Sequence, residues 1–149
     1  MNWITYFEAF FRQRSERLHV ILDAGGCREG WVQGEIFLHA RDLHLETNTT
    51  PSKYDLLCPN PPMIAEIKIC GGDYSPKMQG YIQDDVRKLA TAEGDYQRFM
   101  ILIVDNSCPT TTLGRWLTTC DFSHAERQDV TLSERVVIRI WEISVESCT

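Results

Sequence analysis

Apolar positions recur at two different periods along the chain, and each period predicts a different kind of element. Over residues 2–22 they recur every three or four positions, which predicts a helix that Asn2 can cap. The same period predicts helices over residues 31–42 and 75–92. Gly34 lies inside the second of these three segments, so a hairpin remains an alternative there.

Strands are predicted where apolar residues alternate with polar ones or form a short unbroken run. Four segments have these patterns: residues 53–59, 63–70, 98–106 and 135–145. The run over 98–106 is typical of a strand buried on both faces. Residues 111–120 are predicted as a short helix or turn. The succession of strand, helix and strand over residues 63–106 predicts a parallel pair of strands, and therefore an α/β protein with a mixed central sheet flanked by helices.

Composition and charge restrict the class of protein. The 149 residues suit one domain, and 43% hydrophobic with 24% charged residues is typical of globular proteins. No apolar stretch approaches the ~20 residues of a membrane span, and the first twenty residues lack the pattern of a secretion signal, so we expect a cytoplasmic protein without membrane contact. The net charge of −6 means that binding of nucleic acid would need a local basic surface.

The cysteines and histidines do not predict a zinc site. None of the six cysteines forms a C-x-x-C pair, and the four histidines lack metal-ligand spacing. We therefore expect free, buried thiols in a reducing compartment. Phosphate-binding glycine loops and nucleophile-elbow motifs are also absent from the sequence.

Two opposite charges, Glu66 and Lys68, interrupt the apolar strand 63–70 and share one of its faces. The other face is wholly apolar and can pack on helices: Met63, Ala65, Ile67 and Ile69. Asp55 lies on the preceding predicted strand, and a turn at residues 60–62 would bring it beside Glu66. Two adjacent carboxylates repel each other unless a cation lies between them, and Mg²⁺ is commonly held by one or two carboxylates.

Asp55, followed by Glu66-Ile67-Lys68 on the next strand and then by a helix, resembles the PD-(D/E)XK nuclease superfamily. The resemblance covers about residues 30–105 and implies a restriction-endonuclease-like α/β/α sandwich. It further implies hydrolysis of phosphodiester bonds with Mg²⁺ or Mn²⁺. Asp55, Glu66 and the backbone carbonyl of Ile67 would bind the metal, and Lys68 would position the attacking water.

The resemblance suggests two more site residues. Glu35, on the helix before the sheet, is the candidate for a further metal ligand, and Gln79, on the helix after it, for a polar catalytic residue. Tyr54 stands where the family pattern has proline. The ordinary alternatives are a solvated helix residue for Glu35, a polar helix face for Gln79, and a salt bridge for Glu66 with Lys68.

The expected organisation is a single domain over residues 1–149. It comprises an N-terminal helix and loop (1–29), a candidate catalytic core (30–105) and a C-terminal turn and strand (106–149). The expected function is a nuclease acting on DNA, or on RNA, in defence, mobile-element biology or repair. The alternative is a catalytically inactive nuclease-like fold that serves as a binding or assembly subunit, which the acidic net charge favours.

Basic side chains beside the carboxylates would distinguish the two functions, because a nuclease must hold phosphates. Six candidates are available: Arg28, Arg41, Lys53, Lys77, Arg87 and Lys88. Asp84 and Asp85 precede Arg87 and Lys88 at helix spacing, which predicts ordinary ion pairs along the helix. A homodimer or a partner protein would also fit, with Trp3, Phe7 and Phe11 serving either an interface or the core.

Overall fold

The computed structural model describes most of the chain, namely residues 1–24, 26, 28–45, 53–70, 78–107, 116, 122 and 125–145. Within these ranges the helices are α1 (Trp3–Gln13), α2 (Ser15–Leu22), α3 (Arg28–Asp42) and α4 (Met78–Ala90). The strands are β1 (Leu56–Pro59), β2 (Pro62–Cys70), β3 (Gln97–Asp105), β4 (Ala125–Thr131) and β5 (Val136–Ile143).

The five strands form one mixed sheet in the order β1-β2-β3-β5-β4. Strands β2 and β3 are parallel, and the other neighbouring pairs are antiparallel. Strand β1 has four residues and β2 has nine, and the β1 ladder ends where Leu56 pairs with Ala65. The second half of β2 therefore extends beyond β1, and this extension carries Glu66 and Lys68.

Helices cover both faces of the sheet. Alternate β2 residues, including Ala65 and Ile67, join the core formed with α1, α2 and α3. The intervening residues face a second core, in which Ile82 and Leu89 of α4 pack beside Ile64. The arrangement confirms the predicted α/β class, with a mixed sheet between two helical layers. The apolar side of β2 packs on helices, as its alternation predicts.

Several element boundaries differ from the sequence predictions, and two of the differences matter for the site and the core. The helix predicted over 2–22 is divided into α1 and α2 at Arg14, whose backbone leaves helical geometry (φ −109°, ψ 15°). Asn2 caps α1, since its side chain accepts a hydrogen bond from the Thr5 N–H at 3.1 Å. Residues 28–42 form α3, so the hairpin alternative is wrong. The first strand begins at Leu56, which places Asp55 in the bend just before it.

Strand β4 was not predicted because its sequence, AERQDVT, carries too little apolar alternation. Only Val130 of this strand is buried, and β4 lies at the edge of the sheet, where most of its side chains face solvent. The pattern therefore resembles that of a polar loop.

Trp3, Phe7 and Phe11 lie in the core, with at most 1% of each side chain exposed. They are thus not available as a dimer interface. No helix in the described ranges is long and apolar enough to cross a membrane. The predicted helix start at residues 75–77 and the predicted turn over 111–120 lie outside the described residues, apart from Trp116.

Candidate functional site

Strand β2 turns Glu66 and Lys68 toward helix α4. Alternation along the strand places them on the face opposite Ala65 and Ile67, which contact the larger core. Glu66 is only 2% exposed, and the Lys68 side chain is 19% exposed. A carboxyl group and an ammonium group are thus held between a strand and a helix, with Glu66 deeper than Lys68.

Asp55 lies beside the part of β2 that extends past β1. Its Oδ2 accepts a hydrogen bond from the Ile67 N–H at 2.8 Å, and its Oδ1 accepts one from Gln33 Nε2 at 2.9 Å. Two donors from two different elements therefore fix the orientation of the carboxylate. The Asp55 carboxylate therefore lies next to the Glu66-Ile67 segment of β2, and its charge raises the pKa of Glu66.

The environment of Glu66 favours its protonated form. Burial raises the pKa of Glu66 to about 8, against the opposing effect of the Lys88 ammonium. The neighbouring charges of Asp55 and Asp85 raise the pKa further. Glu66 and Asp55 are therefore two acids that cannot both ionise at low cost unless a cation joins them.

Helix α4 contributes an oppositely charged partner to each of the two β2 charges. Lys88 Nζ contacts Glu66 Oε1, and Asp85 Oδ2 lies 3.1 Å from Lys68 Nζ. Burial lowers the pKa of Lys68, but Asp85 outweighs this effect, with Glu29 and Asp55 contributing, and the net result is a raised pKa. Lys68 therefore stays an ammonium group.

Glu29, at the start of α3, reaches the end of β2. Its Oε1 accepts a hydrogen bond from the Ile69 N–H at 3.1 Å. Together with Lys68 and Asp85 it lines an open cleft of about 290 Å³, to which Tyr81 and Met78 contribute an apolar wall. The cleft gives the Lys68 ammonium access to a ligand from solution.

The charges of the cluster do not cancel when all its groups ionise. Four carboxylates (Glu29, Asp55, Glu66 and Asp85) face two ammonium groups, Lys68 and Lys88. The excess of two negative charges equals the charge of one divalent cation. Binding of such a cation would relieve the repulsion that raises the pKa of Glu66.

Glu35 and Gln79 are not brought to this cluster. The Glu35 carboxylate lies 3.1 Å from Arg14 and 3.6 Å from Arg17, in an ion pair between α3 and the α1–α2 junction. Two residues along a helix turn the side chain by about 200°, so Glu35 points away from the side of Gln33. The structure therefore places the expected further ligand in a structural role, and Glu29 is the α3 carboxylate that reaches β2.

Gln79 lies in the first turn of α4, six residues before Asp85. At 3.6 residues per turn this spacing places it about 120° around the helix from Asp85. The α4 side chains that contact β2 charges are Asp85 and Lys88. A polar residue of α4 does reach the site, but it is Lys88 and not the predicted Gln79.

The six basic residues that could flank the carboxylates differ in how close they lie to Asp55 and Glu66. Lys88 contacts Glu66, and Lys53 lies nearby, since its ammonium is 5.4 Å from the Tyr54 ring and its carbonyl accepts from Lys88 at 3.0 Å. Arg28 donates to the Leu22 carbonyl, and Arg87 pairs with Asp84 at 3.0 Å. Arg41 is exposed near the end of α3, and Lys77 lies outside the described residues. Local positive charge beside Asp55 therefore comes from Lys53 and Lys88.

The sequence does not assign Glu29, Gln33 or Asp85 to the cluster, and it offers Lys88 only as a basic side chain that could flank the carboxylates. Glu29 and Gln33 are four residues apart, so they share a helix face, which is the one signal that links them. Asp85 and Lys88 also share a face, but their 3.9 Å contact is longer than the contacts each makes with β2. Their spacing predicts an ion pair within the helix, whereas in the structure both side chains contact charged residues of β2.

The donors present suit a hard divalent cation held by few protein ligands. Asp55 and Glu66 supply carboxylate oxygens, and the Ile67 carbonyl lies on the same side of β2 as the Ile67 N–H that binds Asp55. Among the described residues, no three His, Cys, Asp or Glu side chains are grouped as a metal site. Mg²⁺ often takes only one or two carboxylates and keeps several waters, so the pair with one carbonyl fits it.

Asp105, at the end of β3, belongs to a different cluster. It accepts hydrogen bonds from Arg135 Nε at 3.0 Å and from the Ser107 N–H at 3.0 Å, and Arg135 also reaches Asp23. Burial opposes ionisation, but Arg135 and Ser107 lower the pKa of Asp105 below its usual range. The residue ties β3 to β5 and lies apart from the β2 charges.

Comparison of the chain with protein-family models, with curated proteins and with solved structures finds no significant match.

Proposed function

We propose that this chain is a nuclease that hydrolyses phosphodiester bonds of nucleic acid with bound Mg²⁺ or Mn²⁺. One observation carries the proposal: a nearly inaccessible Glu66 lies next to Asp55, and Lys68 stands two residues further along the same face of β2. Burying Glu66 beside a second acid destabilises the fold, and a bound cation would offset that cost. The same residues carry the resemblance to the PD-(D/E)XK superfamily.

The residues of the site would have different roles in phosphodiester hydrolysis. Asp55, Glu66 and the Ile67 carbonyl would hold the metal, and Gln33 keeps the Asp55 carboxylate in orientation. A bound metal would act as a Lewis acid on the phosphoryl oxygen and lower the pKa of a water. Lys68, open to the cleft, orients the attacking water and stabilises negative charge that develops on the phosphoryl group.

DNA is the substrate we propose first, with RNA as the alternative. Lys53 and Lys88, whose ammonium groups are 5.4 and 5.6 Å from the Tyr54 ring centroid, supply positive charge near Asp55, where a backbone phosphate would lie. The net charge of −6 makes this local pair necessary, because the molecule as a whole repels a polyanion. The cytoplasm is the compartment we propose, since Cys58 and Cys70 are free thiols.

A cleavage assay with Mg²⁺ or Mn²⁺ tests the proposal on supercoiled plasmid, linear duplex, single-stranded DNA and RNA. We expect Asp55→Ala, Glu66→Ala and Lys68→Ala each to abolish cutting, because each removes a metal ligand or the water-positioning ammonium. Glu8→Ala is the matched control, since Glu8 is a solvent-exposed carboxylate paired with Arg12. Cutting that persists in Glu66→Ala would come from a contaminant or from another site, and would refute the assignment.

A second function, a catalytically inactive binding or assembly subunit, is favoured by a different observation. Glu66 is paired with Lys88 and Lys68 with Asp85, so the strand and the helix neutralise each other without a ligand. Calorimetric titration with Mn²⁺ separates the two functions. A nuclease of this kind binds Mn²⁺ in a manner that Glu66→Gln abolishes, whereas a binding subunit held by ion pairs alone takes up no metal there.

A further inference from the structure

A lysine side chain contacts the carboxyl group of Glu66, which is one of the proposed metal ligands. Lys88 Nζ contacts Glu66 Oε1, and the Glu66 side chain is 3% exposed, so the ammonium covers the one oxygen that it reaches. The contact joins α4 to β2 across the layer boundary, unlike an ordinary ion pair along a helix. Lys88 thus supplies the cation that the two neighbouring acids require.

We propose that Lys88 is a built-in counter-ion that occupies the metal position and must be displaced before a divalent cation binds. The inference rests on the proposed function, because it assumes that the metal uses Glu66. In the metal-free fold the ammonium places a positive charge against the buried Glu66 carboxyl group. The same contact competes with the metal for the Glu66 carboxyl group.

The structure also contains places for the displaced ammonium. Lys88 Nζ lies 3.0 Å from the Lys53 carbonyl oxygen and 3.9 Å from Asp85 Oδ1, and the Tyr54 ring centroid is 5.6 Å away. About a third of the side chain is exposed, and its four-carbon stem is flexible. A small rotation would keep the ammonium bound to these groups at the rim while it releases Glu66.

Competition of this kind weakens metal binding by a predictable amount. The apparent affinity equals the intrinsic affinity multiplied by the fraction of molecules in which the site is open. If Lys88 covers Glu66 in about nine molecules of ten, its removal tightens metal binding about tenfold. The effect is specific to this side chain, because Arg87, one residue earlier, points to solvent and pairs with Asp84.

The test is calorimetric titration of Mn²⁺ into the wild-type chain and four variants. Lys88→Met keeps the length of the side chain without its charge, and we expect it to bind Mn²⁺ about tenfold more tightly. Lys88→Arg keeps the charge and should bind no more tightly than wild type. Arg87→Met is the matched control, since it changes the net charge equally without touching Glu66, and Glu66→Gln should bind no Mn²⁺ at the site.

A second measurement needs no substitution and therefore does not depend on whether Lys88→Met folds. The chain has only four lysines, so the ¹³C signals of their ε carbons can be assigned and followed by NMR during a Mg²⁺ titration. We expect the Lys88 signal to shift in step with occupancy of the site, and by more than the Lys53 signal.

The possible results distinguish this inference from the proposed function. Equal Mn²⁺ affinity in wild type and Lys88→Met, lost in Glu66→Gln, would overturn the counter-ion role and leave the metal site intact. An unmoved Lys88 signal at saturating Mg²⁺ would also overturn it. Failure of both wild type and Lys88→Met to bind metal would refute the proposed metal site, and the counter-ion role with it.

Discussion

At the scale of single residues, Glu66 combines features that rarely occur together. It is 2% exposed, it contacts an ammonium group, and the charge of the neighbouring Asp55 raises its pKa. Burial raises its pKa to about 8, so near neutral pH the group holds a proton that a cation could replace. This exchange gives the metal-free protein a measurable dependence on pH.

We predict that Glu66 makes the metal-free protein less stable as the pH rises. The folded state keeps the Glu66 proton up to about pH 8, whereas the unfolded chain releases it near the ordinary pKa of 4.5. Between these values the folded state binds more protons, so the free energy of unfolding falls with rising pH, by at most about 1.4 kcal/mol per unit. Urea unfolding in the presence of a chelator, at several pH values in this interval, measures the slope.

Glu66→Gln supplies the comparison, because the amide keeps the shape of the side chain and carries no titrating proton. We expect the fall in stability to become shallower in this variant and to remain unchanged in the exposed Glu8→Gln. A slope as steep in Glu66→Gln as in wild type would contradict the assignment of the pH dependence to this residue.

At the scale of elements, α3 separates a site face from a structural face. Glu29 and Gln33 bind the β2 extension and Asp55, whereas Glu35 pairs with Arg14. One face of α3 therefore orients Asp55, the candidate metal ligand, and the other face holds the end of α1 through an ion pair.

We predict that Gln33→Ala lowers the cleavage rate about 10- to 100-fold, because the Asp55 carboxylate loses a donor that orients it. Glu35→Gln, on the same helix, should leave the rate within a factor of two or so, since its partners are Arg14 and Arg17. Rates on the preferred substrate, with melting temperatures of both variants, provide the measurement. Equal losses in the two variants would show that α3 acts only through stability.

The sequence predicts the strand side of the site better than the helix side. Alternation along residues 63–70 correctly places Glu66 and Lys68 on one face, and the short turn correctly brings Asp55 beside them. Whether Lys88 and Asp85 reach these two charges depends on where α4 packs along β2. That position follows from tertiary packing and cannot be derived from the local sequence pattern. Glu35 is not brought to the strand, because α3 turns Glu29 and Gln33 toward β2 and Asp55 and leaves Glu35 to pair with Arg14.

At the scale of the whole molecule, the aromatic face of α1 anchors one helical layer to the sheet. Phe7 is fully buried and meets Phe99 of β3 edge to face, with ring centroids 5.6 Å apart. The three- and four-residue spacing of these aromatics predicts a helix, but either a core or an interface would have the same spacing. Burial against β3 resolves that choice in favour of the core.

We predict that Phe7→Ala lowers the free energy of unfolding by about 3–5 kcal/mol, because it leaves a cavity between α1 and the sheet. Val20→Ala, at a position 71% exposed on α2, should change stability by less than about 0.5 kcal/mol. Urea denaturation of both variants gives the values. A loss below about 1 kcal/mol for Phe7→Ala would mean that α1 is not part of the cooperative core.

The unequal lengths of β1 and β2 have a consequence for solubility. Beyond the end of β1, the N–H groups of Ile67 and Ile69 are bound by the carboxylates of Asp55 and Glu29. These carboxylates accept hydrogen bonds from backbone N–H groups that could otherwise pair with a strand of another molecule. They therefore reduce edge-to-edge aggregation. Truncating Asp55 to alanine would remove that guard together with the metal ligand. Asp55→Asn keeps an oxygen acceptor there, so it can lose cleavage while remaining monodisperse.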